Sequence, residues 1–292
     1  MKSILLTTIR KIIQTLEKAS PRLAVWWVSR LFFSPGTSRR EIPDIPDLEQ
    51  RWLGYTKING ARSKCRVYSA GTGSVVLLIH GWEGSAYSLS VIARRLLDQG
   101  LRVVLFDLPA HGFSPGRKTN LVEIGSIIQQ LAVDEGNFLA LVGHSFGAAC
   151  AGHAIKSGVA ADHFVSISAP TSMDFIINRF CTIVGASEKT KKGLIRNLEV
   201  ILQGPYEQES LTELAAGFTQ KGLIIHDRKD RMVPYSQAEE FSSAWPGAGV
   251  LDTNRLGHSR ILQDEDVIQA VALHILSSSE DYPGTTSVAV SQ

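Results

Sequence analysis

Six short apolar runs alternate along the chain with amphipathic segments, and this alternation constrains the fold more than any other feature. Runs of this kind are typical of strands buried on both faces, which occur mostly in parallel sheets covered by helices. The runs are SVVLLIH (74–80), RVVLFD (102–107), FLALVGH (138–144), HFVSISA (163–169), GLIIHD (222–227) and GVLDT (249–253). The sequence therefore predicts an α/β fold with a mostly parallel central sheet and helices on both of its faces.

The alternation is interrupted once, between the fourth and fifth runs. Residues 170–221 contain three helical patterns, each with an apolar stripe, and the segment is too long for a simple crossover. We expect a small helical cap over one end of the sheet. Its apolar residues Phe175, Ile176 and Phe180 are candidates for substrate binding, and an alternative role for the same side chains is to pack the cap onto the domain.

The two ends of the chain differ in character from the rest. Residues 1–35 combine apolar residues at helical spacing with six Lys or Arg and one Glu, which predicts a basic amphipathic helical segment. Two interpretations stay open, because such a segment can lie on an anionic membrane surface or pack on its own domain. We expect a linker at 34–47, a main domain over residues 36–276 that includes most of that linker, and a disordered tail at 277–292.

Composition limits the classes of partner. The 292 residues carry a formal net charge of +2, which is too small to indicate a nucleic-acid partner. The three cysteines, Cys65, Cys150 and Cys181, form no CxxC pair, and their odd number favours a reducing compartment. We therefore expect a cytoplasmic protein without a metal site, peripheral to the inner face of a membrane if residues 1–35 bind lipid. The oligomeric state is left open.

The stretch LVGHSFGAAC (141–150) places Ser145 between Gly143 and Gly147. A lone G-x-S-x-G is weak evidence, but here it follows a buried strand and opens a helix of small residues. A nucleophile on such a turn adopts strained backbone geometry, so the residues two positions away must be small. Ser145 is therefore the candidate nucleophile.

A serine hydroxyl needs an imidazole to take its proton and a carboxylate to orient that imidazole. In this architecture the acid and then the histidine follow later strands. Asp230 in HDRKDRMVP and His258 in NRLGHSRIL occupy those places. Asp227, at the strand end, and Asp174, after the fourth strand, remain alternative acids.

An oxyanion formed during acyl transfer needs two hydrogen-bond donors. One candidate is the backbone N–H of Phe146, directly after the nucleophile. The other is the backbone N–H of Trp82 in HGWEG (80–84), a loop whose glycines allow close approach of the backbone. The alternative for that loop is a plain glycine turn.

These motifs together resemble the α/β-hydrolase superfamily. Within it the chain is similar to poorly characterised bacterial serine hydrolases that carry HGWEG, PAHGFSPG, GHSFGAA, HDRKDRMVP and GHSRIL. The resemblance covers roughly residues 30–276 and implies an α/β-hydrolase fold with a small helical cap. It also implies a Ser145–His258–Asp230 triad, an oxyanion hole from Trp82 and Phe146, and no cofactor. One departure is IHD, where a glycine often follows that histidine.

The expected activity is that of a serine hydrolase acting through an acyl-enzyme, with a carboxylesterase on small or medium apolar acyl esters as the leading hypothesis. A thioesterase, an acyltransferase or a cofactor-free peroxidase would use the same triad. A non-catalytic ligand-binding protein on this fold is the alternative from another class. The expected partner is in each case a small molecule, ester-like for the enzyme.

Overall fold

The computed structural model describes residues 2–36, 40–57 and 59–277, with side chains from residue 5 onward. The strands are β1 (Glu49–Thr56), β2 (Arg62–Ala70), β3 (Val75–Ile79), β4 (Arg102–Phe106), β5 (Phe138–His144), β6 (Ala161–Ile167), β7 (Lys221–Asp227) and β8 (Gly249–Thr253). The helices are α1 (Lys2–Ala19), α2 (Pro21–Phe32), α3 (Ser90–Asp98), α4 (Leu121–Glu135), α5 (Phe146–Lys156), α6 (Met173–Val184), α7 (Glu188–Leu202), α8 (Leu211–Leu214), α9 (Ser236–Ala244), α10 (Gly257–Arg260) and α11 (Glu265–Leu276).

The eight strands form one sheet in the order β1-β2-β4-β3-β5-β6-β7-β8. Strands β3 to β8 pair in parallel, while β1 and β2 pair antiparallel with their neighbours at one edge. The carboxyl ends of the parallel strands β3 to β8 therefore lie side by side at one end of the sheet. In open α/β sheets, ligands bind at this end.

Each face of the sheet is covered by helices because the central strands are apolar on both sides. All five residues of β3 are buried, as the continuous apolar run requires. On one face the sheet packs against α4, α5 and α9, and on the other against α3 and α11. The small residues of α5 let that helix lie close to β5 and β3, and its first residue follows Ser145 directly.

A third apolar cluster joins the cap to the N-terminal helices. Ile13 of α1 and Val28 of α2 are buried against Ile177, Leu194 and neighbouring residues of α6 and α7. The packing of α2 on α7 is close, because a Cβ added at Gly193 would lie 2.4 Å from a methyl group of Val25. The hairpin of α1 and α2, called here the N-terminal hairpin, thus extends the helical cap formed by α6 and α7.

The sequence predicted the class of fold, and the mostly parallel sheet with helices on both faces confirms it. The antiparallel strand β1 was not predicted. The tail expected at 277–292 lies outside the described residues apart from Ser277. Within the described ranges, no helix combines the length and the apolar character needed to cross a membrane.

Candidate active site

Ser145 lies on the sharp turn between β5 and α5 with φ 53° and ψ −124°, a conformation that a non-glycine residue rarely adopts. The two flanking glycines make the turn possible. A Cβ at Gly143 would lie 2.4 Å from Cα of Ala148, and a Cβ at Gly147 would lie 2.1 Å from the carbonyl oxygen of Ile79. Neither position has room for a side chain, so the sequence motif is a steric requirement of this turn.

A chain of hydrogen bonds connects Ser145 to a buried carboxylate. Nε2 of His258, in α10, lies 3.1 Å from Oγ of Ser145, and Nδ1 lies 2.7 Å from Oδ2 of Asp230. The other carboxylate oxygen, Oδ1, accepts the backbone N–H groups of Met232 at 2.7 Å and Val233 at 3.0 Å. With Nδ1–H donating to Asp230, Nε2 is left as the acceptor for the serine hydroxyl.

Asp230 is held ionised by these contacts. Burial alone would raise the pKa of its carboxyl group, but the hydrogen bonds from His258, Val233 and Met232 outweigh burial and hold that pKa below its usual value. The carboxylate can therefore stabilise an imidazolium at His258 when the serine proton arrives.

Two other histidines near Ser145, His258 and Asp230 form hydrogen bonds to backbone carbonyl groups. Burial and the neighbouring His258 lower the pKa of His144 to about 4, so His144 is neutral at pH 7. Its Nε2–H donates to the backbone carbonyl of His258 at 2.9 Å, which fixes the loop that carries the imidazole. His226 is buried, and its Nε2–H donates to the carbonyl of Val233 at 2.9 Å.

The two alternative acids lie elsewhere. Oδ2 of Asp227 accepts the Thr253 hydroxyl at 2.8 Å and the backbone N–H of Leu256 at 2.9 Å, so Asp227 connects the loops after β7 and β8. Asp174, at the start of α6, accepts the Tyr206 hydroxyl at 2.8 Å. Of the three carboxylates considered from the sequence, Asp230 is the one hydrogen-bonded to His258.

The loop after β3 runs against Ser145. A Cβ at Gly81 would lie 2.9 Å from Cβ of Ser145, so the loop approaches that closely only with glycine there. Trp82 and Phe146 both line the cavity that contains Ser145, and their rings meet edge to face at 5.3 Å. The assignment of their backbone N–H groups as oxyanion donors stays a prediction.

His111 holds this loop in place. Its Nε2 accepts the backbone N–H of Glu83 at 3.0 Å, while its Nδ1–H donates to the carbonyl of Pro109 at 3.0 Å. Burial lowers the pKa of His111, which favours the neutral form that can accept a hydrogen bond. Glu83 itself has a positive φ of 60°, so the hydrogen bond stabilises a strained loop. The sequence favoured a structural role for His111, but no local pattern indicated its hydrogen bond to Glu83.

An apolar cavity of about 260 Å³ opens above Ser145 and His258. All three residues predicted for substrate binding, Phe175, Ile176 and Phe180, contribute to its wall. The structure adds wall residues that were not predicted, chiefly Phe32, Phe33, Leu198 and Met232. Phe32 and Phe33 come from the end of α2, more than one hundred residues before Ser145, so only the tertiary packing brings them to the site.

The described residues contain no cluster of three or more His, Cys, Asp or Glu side chains that could hold a metal ion. Cys65, Cys150 and Cys181 are all buried thiols, and burial raises the pKa of each.

Residues 76–188 match the model of a family described as the alpha/beta hydrolase family. The chain is 30% identical over 158 residues to protein phosphatase methylesterase 1 of Bos taurus, with 46% of this chain and 42% of that protein covered. It thus spans about two fifths of the length of the curated relatives of this name.

Solved structures show the same fold. The esterase Pf2001 of Pyrococcus furiosus superposes with a TM-score of 0.62 at 18% identity, covering 83% of this chain and 95% of that one. A bromoperoxidase of Bacillus anthracis also superposes with a TM-score of 0.62, at 19% identity, covering 78% of this chain and 100% of that one. At these identities the likeness concerns the architecture of the sheet and its helices.

Proposed function

We propose that this chain, whose residues 76–188 match the alpha/beta hydrolase family, is a serine hydrolase that cleaves carboxylic esters of small or medium apolar acids through an acyl-enzyme. The observation that carries the proposal is the hydrogen-bonded chain from Ser145 through His258 to Asp230 at the floor of an apolar cavity.

In the proposed reaction, Oγ of Ser145 attacks the ester carbonyl carbon while its proton passes to Nε2 of His258. The imidazolium is stabilised by the ionised Asp230, and the negative oxygen of the tetrahedral intermediate is held by the N–H groups of Trp82 and Phe146. His258 then gives the proton to the leaving alcohol, which departs and leaves the acyl group on Ser145. Water, deprotonated by His258, attacks the acyl carbon and releases the acid, restoring the serine hydroxyl.

The cavity supports an apolar acyl group. Its wall consists mainly of aromatic and aliphatic side chains, and Arg179 is a charged exception contributed by α6. Burying hydrocarbon against such a wall contributes about 0.8 kcal/mol per methylene group, so each added methylene favours binding until the cavity is full. We therefore expect activity to rise with acyl length from acetate into the medium-chain range and then to fall.

The test is labelling of the full chain with a fluorophosphonate probe, followed by hydrolysis of nitrophenyl esters of graded length together with a matched thioester and amide. Ser145→Ala should abolish labelling. The control is Ser168→Ala, because Ser168 also follows a strand of the sheet with a positive φ of 50°, but its hydroxyl has no hydrogen-bond partner among the described residues. Intact labelling in Ser145→Ala would refute the assignment of the nucleophile. Faster turnover of the thioester than of the ester would redirect the proposal to a thioesterase.

A further inference from the structure

Helix α2 has one face in the protein and one face in water. Ala24 and Val28 are buried against the cap, whereas Arg22, Trp26 and Arg30 recur every four residues on the exposed side. Trp26 is 54% exposed and Leu23, beside it, is 53% exposed. Trp26 and Leu23 thus form a pair of exposed apolar side chains on this side of the helix.

Helix α7 adds basic residues beside this face. Lys189 and Arg196 are exposed and, with Arg22 and Trp26, line a groove between α2 and α7. Arg22, Lys189 and Arg196 make no ion pair with any residue in the described part of the chain, whereas Glu188 is paired with Lys191. The basic–tryptophan face, defined as Arg22, Leu23, Trp26, Arg30, Lys189 and Arg196, therefore carries uncompensated positive charge around exposed apolar groups.

We propose that the basic–tryptophan face docks on the surface of a lipid bilayer that contains anionic lipids. Tryptophan rings favour the boundary between headgroups and acyl chains, and basic side chains are attracted to anionic headgroups. A purely electrostatic partner would account for the arginines and the lysine but not for the exposed Trp26 and Leu23. The exposed tryptophan and leucine with the surrounding basic side chains supply the two contributions to binding at a lipid surface, burial of apolar groups and attraction to anionic headgroups.

The docking face and the wall of the candidate active site share helix α2. Phe32, which lines the cavity, follows Trp26 by six residues on the same helix, a rise of about 9 Å. Docking itself needs no hydrolysis, so its test is independent of the proposed function.

The experiment is co-sedimentation of the full chain with vesicles of phosphatidylcholine alone or mixed with phosphatidylglycerol. We expect binding to the mixed vesicles only, weakened by high salt. Each basic residue at an anionic surface contributes roughly a fivefold factor, so the triple variant Arg22→Gln, Lys189→Gln, Arg196→Gln should partition on the order of 100-fold less.

A matched control tests whether a loss of vesicle binding is specific to Trp26 or follows the removal of any exposed tryptophan. Trp26 has Arg30 at 5.8 Å from its ring centroid. Trp52, in the edge strand β1, is 44% exposed and likewise has cations against its ring, Lys64 at 4.3 Å and Arg66 at 5.0 Å. Trp26→Ser should weaken vesicle binding, and Trp52→Ser should leave it unchanged. Circular dichroism melting of each variant checks the fold. Equal binding by the triple variant, equal loss in both tryptophan variants, or no binding of the parent chain to the mixed vesicles would overturn the proposal.

Discussion

Replacing Asp230 by asparagine should abolish most of the activity while leaving the geometry of the site intact. Oδ1 of Asp230 accepts two backbone N–H groups, from Met232 and Val233. In the Asp230→Asn variant the amide oxygen must therefore take the Oδ1 position, because the amide NH₂ cannot accept those hydrogen bonds. The NH₂ group is then directed at Nδ1 of His258, now the acceptor, and the ring proton moves to Nε2. That proton faces Ser145, so the imidazole can no longer act as the base.

The expected loss is large because the wrong tautomer and the lost negative charge act together. In a serine protease the equivalent change lowers kcat by roughly 10⁴-fold, and that factor corresponds to about 5.4 kcal/mol of transition-state stabilisation. We expect a loss of similar order in kcat on a nitrophenyl ester, with KM little changed. The assay is steady-state hydrolysis at pH 7, with burst kinetics to follow acylation.

The control for this prediction is Asp174→Asn, since Asp174 contacts Tyr206 on the cap and not His258. It should retain activity within about threefold, which corresponds to the small effect of a partly exposed hydrogen bond. A loss of less than tenfold in Asp230→Asn, or equal losses in both variants, would refute the assignment of the acid.

The same residue has a consequence for stability. The folded-state pKa of Asp230 lies below its ordinary value near 3.8, so the ionised carboxylate stabilises the folded protein above that pH. This stabilisation is lost as the pH falls through the folded-state pKa. Thermal unfolding between pH 3 and pH 7 should therefore show a smaller pH dependence in Asp230→Asn than in the parent chain.

Three further changes test the turn, the loop and the cavity. Gly147→Ala should prevent folding or lower the free energy of unfolding by more than about 3 kcal/mol, since its Cβ would lie 2.1 Å from the carbonyl oxygen of Ile79; thermal melting measures this. His111→Ala should lower kcat roughly tenfold with KM little changed, because the N–H of Glu83 loses its acceptor and the loop that carries Trp82 shifts. Phe180→Ala should move the preferred substrate to longer acyl chains, since it enlarges the cavity, and the ester panel reads out that shift.

Each of these changes has a control. Gly217→Ala should be tolerated, because nothing lies within 4 Å of its added Cβ. His111→Gln should recover much of the lost kcat, since its amide oxygen can accept the same N–H; a loss as large as in the alanine variant would contradict the role of that hydrogen bond. Val200→Ala, at an exposed residue of α7 outside the cavity wall, should leave acyl preference unchanged.

The parallel part of the sheet was predictable because its strands are buried on both faces and read as continuous apolar runs. Strand β1 was not, because it lies at the edge: of its residues only Leu53 and Tyr55 are buried, and Gly54 separates them. Sequence order likewise indicated Asp230 and His258, since each follows the end of a strand. The contribution of Phe32 and Phe33 to the cavity depends on how the N-terminal hairpin packs on the cap, and no local pattern encodes that packing.

Backbone strain in this protein is concentrated at the edge of the sheet that carries the candidate site. Of the seven non-glycine residues with positive φ in the described ranges, five follow the carboxyl ends of strands: Glu83, Ala110, Ser145, Ser168 and Arg255. Such conformations cost of order 1–3 kcal/mol each, and they persist only where the surrounding structure over-determines them. Here the buried strands on one side and the hydrogen bonds of the loops on the other supply that constraint. The buried core therefore has a second effect besides stabilising the fold. It keeps Ser145 and Glu83 in strained backbone conformations that an isolated segment would rarely adopt.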